Sequence, residues 1–98
     1  MVYINVRHTV ADYDKWIASF DENANVALRK AGGGTGKNQI FRDVVDTNIV
    51  TVILEWDSAE HANKFLATPE LKAAMESAGV VGAPMVSALQ SRVQRVKA

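Results

Sequence analysis

The chain has 98 residues, enough for one packed core and too few for two. Eleven basic side chains balance eleven acidic ones, so neither a nucleic-acid footprint nor the basic helix face of a membrane-surface binder is present. The absence of cysteine excludes disulfides, thiolate nucleophiles and cysteine metal sites, and no run reaches the roughly 18 apolar residues of a membrane span.

The first segment, "VYINVRH", is rich in β-branched and aromatic residues and alternates, with Val2, Ile4 and Val6 on one face; it reads as a strand. Asn5 and Arg7 interrupt it, unlike the apolar run of a signal peptide, so a cytoplasmic protein is expected. From Asp12 the period changes. Tyr13, Trp16, Ile17, Phe20, Ala24, Ala27, Leu28 and Ala31 follow steps of three and four, predicting one helix of about five turns. Asp12 is its candidate N-cap; Arg29 and Lys30 favour the dipole at its end, and Gly32 is the expected left-handed terminator.

The glycine-rich stretch "AGGGTGKN", residues 31–38, imitates a phosphate-binding loop. It lacks the first glycine of that motif, where Ala31 stands, and the hydroxyl after the lysine, where Asn38 stands. It also leaves a helix and enters the strand "KNQIFRDV", so the nearby dipole end is the negative one and repels phosphate. The stretch is a helix terminator and linker.

Turn chemistry in "VDTN", residues 45–48, predicts a hairpin with "IVTVILEW", residues 49–56. A short helix follows, capped by Asp57 or Ser58 and facing inward through Ala62, Phe65 and Leu66. "TPEL" restarts a helix with Thr68 as N-cap and Pro69 at its first position; Leu71, Ala74, Met75 and Ala78 form its stripe, and Gly79 ends it. A loop at residues 80–84 and a last strand from about Met85 to Val96 complete the chain, whose polar end frays or joins a partner contact.

The order is β-α-β-β-α-β with the second helix broken, which predicts one ferredoxin-like α+β domain over residues 1–98 with an antiparallel sheet. Helices cover one sheet face in this fold, and the other should be polar unless covered. Val50, Val52, Leu54 and Trp56 line one face of the hairpin's second strand, yet Ile49, Thr51 and Ile53 line the other. Both faces read as buried, so a homodimer is expected in which two sheets pack into an α/β barrel.

Three blocks carry a resemblance: R-H-x-V-x-D-Y-x-x-W from Arg7 to Trp16, E-W-D from Glu55, and A-G-V-x-G-x-P from Ala78 to Pro84. With their flanks they resemble the dimeric α/β-barrel superfamily, close to the antibiotic biosynthesis monooxygenase type and small proteins described as cyclases. The resemblance spans nearly the whole chain. Relatives often carry a histidine after "FDE", where this chain has Asn23. The superfamily includes oxygenases without metal or flavin, isomerases, cyclases, haem-degrading enzymes and proteins without known activity, so the resemblance does not fix a reaction.

His8 is in phase with Val2, Ile4 and Val6 and has a base's unperturbed pKa of about 6.5; its other reading is a local hydrogen bond that orders the loop to Asp12. Tyr13, Trp16, Phe20 and Trp56 read as core, or as walls for a planar aromatic ligand. Arg42 pairs either with a ligand oxyanion or with an acidic neighbour such as Asp43 or Glu55. Asn23 either donates to a ligand oxygen or is solvated. His61 falls off the apolar face of its helix and should be exposed, and two distant histidines make no metal site.

Two functions compete. One is a cofactor-free enzyme that forms an enolate of a small hydrophobic, aromatic or polyketide-like substrate and oxygenates, cyclises or isomerises it. His8 would be its base, Tyr13 and Asn23 its oxyanion donors, and Trp16, Phe20, Arg42 and Trp56 its substrate contacts. The other is a non-catalytic homodimer that binds a small hydrophobic ligand or serves as an accessory subunit.

Overall fold

The computed structural model describes residues 1–91. Strands β1 (Val2–Val10), β2 (Gly34–Arg42), β3 (Ile49–Trp56) and β4 (Val80–Gln90) form one antiparallel sheet in the order β2-β3-β1-β4. Helices α1 (Tyr13–Phe20) and α2 (Asn23–Gly32) join β1 to β2, while α3 (Ala59–Leu66) and α4 (Pro69–Ser77) join β3 to β4. This is the ferredoxin-like α+β fold expected from the element order.

The core lies between sheet and helices. Val2, Ile4, Val6 and Val10 of β1 are buried beside Val50, Val52, Leu54 and Trp56 of β3. Antiparallel register sets them in rows, with Ile4 opposite Leu54 and Val6 opposite Val52. Each fully buried aliphatic side chain contributes about 1.5–3 kcal/mol. Trp16 from α1 and Ala62 and Phe65 from α3 close over these rows.

Three N-caps form where the sequence places them. Asp12 accepts from the Lys15 N–H, Ser58 from His61 and Thr68 from Leu71, so each helix start satisfies an otherwise orphan donor.

The expected five-turn helix is two helices. The chain breaks at Asp21 and Glu22, whose N–H groups bond back to the carbonyls of Ile17 and Ser19. Side chains from α2 then satisfy the open end of α1: Asn25 Nδ2 donates to the Ser19 carbonyl at 2.7 Å and Arg29 to the Phe20 carbonyl at 2.9 Å. A periodic stripe does not register such a break, because both helices turn the same apolar side toward the sheet.

The helix terminator is Gly33, not Gly32. Gly33 takes φ +118°, a region that disfavours side chains, and a Cβ there would lie 2.6 Å from Asp57 Oδ1. β4 starts at Val80, before the expected Met85, because Val80 and Val81 pair with Val10 and Thr9 of β1, with a register shift before Met85 takes up the pairing again. The expected extension of this strand to Val96 lies outside the described residues.

The second sheet face carries exposed apolar side chains. Phe41, Val81, Met85 and Leu89 are 47–70% exposed, with half-buried Ile49 and Ile53 among them.

Candidate functional site

Between the inner sheet face and the helices lies a cavity of about 70 Å³. Ile4, Val6, Val52 and Leu54 form its floor, and Leu71 and Met75 of α4 form one side. Its polar lining residues are His8, Ser19, Asn25 and Arg29.

His8 is the inward residue of β1 after Val6, and strand alternation carries it into the core. It is 6% exposed, and neither ring nitrogen has a hydrogen-bond partner among the described residues. Leaving such a group unpaired costs about 1–3 kcal/mol. Burial also holds its pKa below the usual 6.5, because a charged imidazolium is poorly solvated there. The ring is therefore neutral at pH 7 and keeps a basic nitrogen.

The backbone beside His8 is irregular. Arg7 pairs with Met85 and Thr9 with Val81, so residues 82–84 bulge opposite His8, where Gly82 takes φ +73°. Bulges re-aim side chains and are frequent near active sites.

An aromatic ladder leads away from the imidazole. His8 meets Trp16 edge-on, with ring centroids 5.5 Å apart, and Trp16 stacks on Phe20 at 5.2 Å. The i, i+4 spacing on α1 places those two rings in line. The ladder ends under Arg29, whose guanidinium carbon is 3.8 Å from the Phe20 ring centroid. Burial pushes the Arg29 pKa down, while the charge of Asp21 opposes the shift.

Four other expected site residues stand apart from this cavity. Tyr13 is half-buried against Trp16, at 5.9 Å between centroids, and its ring is covered by the Arg42 guanidinium at 3.9 Å. Exposed Arg42 donates to the Thr47 carbonyl at 2.8 Å and so braces the β2–β3 hairpin. Asn23 is exposed in the first turn of α2; Asn25, two residues on, reaches the cavity wall. Trp56 is fully buried opposite Val2, at the far end of β1 from His8, about 20 Å along the strand.

Sequence reasoning missed Ser19, Asn25 and Arg29. The available signal was the polar "DEN" triplet, residues 21–23, which interrupts the apolar stripe at the helix break that brings these side chains together. Among the described residues no three His, Asp or Glu side chains converge on a metal-sized site. Exposed His61 pairs with Asp57 at 2.9 Å. Among the described residues no helix is long and apolar enough to cross a membrane.

No protein-family profile and no curated protein matches the chain. Solved structures do match. SnoaB from Streptomyces nogalater, a cofactor-independent oxygenase, superposes with a TM-score of 0.70 at 16% identity, over 98% of this chain and 97% of its own. The monooxygenase ActVA-Orf6 of Streptomyces coelicolor, solved in complex with nanaomycin D, superposes with a TM-score of 0.69 at 14% identity, over 99% of this chain and 92% of its own. The fold is thus one shared with antibiotic biosynthesis monooxygenase-like proteins. At such identities the likeness is one of fold alone.

Proposed function

We propose that the cavity is the active site of an enzyme acting on a small hydrophobic, aromatic or polyketide-like molecule, with His8 as general base. The observation that carries this reading is the buried imidazole on the cavity wall, neutral and without a hydrogen-bond partner among the described residues. A core histidine with a purely structural role normally satisfies at least one ring nitrogen. One that does not is poised to take a proton from a bound acid.

The step is abstraction of a proton from carbon beside a carbonyl or aryl ring, or from an acidic ring hydroxyl, giving an enolate. The enolate can then cyclise, reprotonate elsewhere or react with dioxygen. In the last case a CH2 group and O2 become C=O and H2O, with dioxygen as the oxidant and the substrate carbanion as the electron source. That SnoaB is a cofactor-independent oxygenase and ActVA-Orf6 a monooxygenase supports this class of chemistry. Trp16 and Phe20 offer flat walls, and Asn25 takes the amide role expected of Asn23.

Ligand pockets typically measure about 300–1,000 Å³, so a ring system enters only if a wall moves. Helix α4 is suited to that: it has no fully buried side chain, Leu71 and Met75 line one side of the cavity, and its displacement leaves the α1–α2 hydrogen bonds in place. The small cavity volume also favours the second reading, a dimer that binds a compact apolar ligand without turnover.

We also propose a homodimer. The exposed apolar residues of the outer sheet face form the surface that a second copy would cover, as two sheets packed into a barrel require.

Oxygen uptake and product formation with polycyclic quinols and enols, compared for wild type and His8→Gln, test the enzymatic reading. Loss of the base should lower turnover by about 10²–10⁴-fold. Equal rates in both proteins would remove His8 from the chemistry, and binding without turnover by wild type would leave the ligand-binding reading.

A further inference from the structure

We infer that Arg29 is a ligand-recognition residue and that the cavity selects planar aromatic molecules bearing a carboxylate or phenolate. This inference rests on the reading of the cavity as a ligand site and adds the ligand's charge to it.

A half-buried guanidinium needs partners for its charge and its N–H donors. Arg29 lines an otherwise largely apolar cavity, and a charge removed from water there is costly unless paired. The charge of Asp21 opposes part of that cost, but among the described residues no carboxylate lies within ion-pair distance of Arg29. One of its five N–H donors goes to the Phe20 carbonyl. That bond and the contact with the Phe20 ring hold the side chain in place, leaving further donors for a ligand. Neutral hydrogen bonds could cap α1 without a cation, since Asn25 already performs that service for Ser19.

The geometry then specifies the ligand's shape. Arg29 lies over Phe20, Phe20 stacks on Trp16, and Trp16 meets His8. A flat molecule along this ladder has its acidic C–H or O–H near His8 and its far end near Arg29. A planar guanidinium binds a carboxylate through two parallel hydrogen bonds, whereas a lysine would offer only a point charge. The second oxyanion is thus held away from His8, which stays free to take a proton.

Binding of 2-naphthoate and its neutral isostere 2-naphthamide to the full chain at pH 7.5, followed by NMR titration, tests this. Wild type should bind the acid about tenfold or more tightly than the amide. Arg29→Gln should bind both alike, and Arg29→Lys should recover part of the preference. The lysine variant retains a donor for Phe20 and serves if the glutamine variant does not fold. Equal binding of the two compounds by wild type, or a preference that survives in Arg29→Gln, would overturn the inference and leave the ligand site intact. Failure of wild type to bind either compound would overturn the inference together with the reading beneath it.

Discussion

The indole N–H of Trp56 donates to the Gly32 carbonyl at 2.8 Å, tying the end of β3 to the end of α2. The three glycines there suit the contact: a Cβ on Gly32 would meet Phe65 at 2.6 Å, one on Gly33 would lie 2.8 Å from the indole nitrogen, and one on Gly34 would lie 3.1 Å from the same ring. Trp56→Phe keeps most of the ring and leaves the Gly32 carbonyl without this donor. Urea unfolding should show a loss of about 1–3 kcal/mol. A loss near zero would mean that solvent or backbone replaces the indole.

Gly33→Ala should be more damaging than Gly36→Ala. Both glycines have positive φ, but a Cβ at Gly33 also meets Asp57 and Trp56, whereas one at Gly36 meets nothing within 4 Å. Backbone strain alone costs about 1–3 kcal/mol, so Gly36→Ala should stay in that range and Gly33→Ala should exceed it. Parallel denaturation curves check the order.

His8 makes stability pH-dependent. Its folded pKa lies below the unfolded value of about 6.5, so below that pH the unfolded chain binds protons that the folded one refuses. Stability is then full above about pH 6.5 and falls as pH drops from there through the folded pKa. His8→Gln should lose this component, and the difference between wild-type and variant unfolding free energies should change over that window and be flat above it.

His61→Ala provides the contrast. Its pair with Asp57 is about half exposed at both partners, and such surface pairs contribute about 0–1 kcal/mol. Thermal unfolding should move little, and turnover, where found, should be unaffected.

The proposed dimer predicts a concentration-dependent mass. Ile53→Lys with Leu89→Lys places two charges on the outer sheet face while leaving the inner core untouched. Sedimentation should find wild type as a dimer at micromolar concentration and the double variant as a monomer. A wild-type monomer would remove the barrel arrangement.

The sequence by itself determined the number and order of the strands, though not the starts of β2 and β4, together with three N-caps and the side of the sheet to which each core residue turns. Local chemistry suffices for these: alternation places Ile4, Val6 and His8 on one face, and Asp12, Ser58 and Thr68 can bond only to N–H groups a turn away. Resemblance and element order together led to the same fold. Only the tertiary structure decided where helix α1 ends, because the side chains that satisfy its last carbonyls, Asn25 and Arg29, come from the next helix. It likewise decided that Gly33 terminates α2, since the crowding comes from Asp57 and Trp56 on another strand's end. The composition of the cavity was hidden for the same reason. Trp56 and Arg42 look equivalent to Trp16 and Arg29 in sequence, and the distances that separate their roles arise from pairings between residues far apart in the chain.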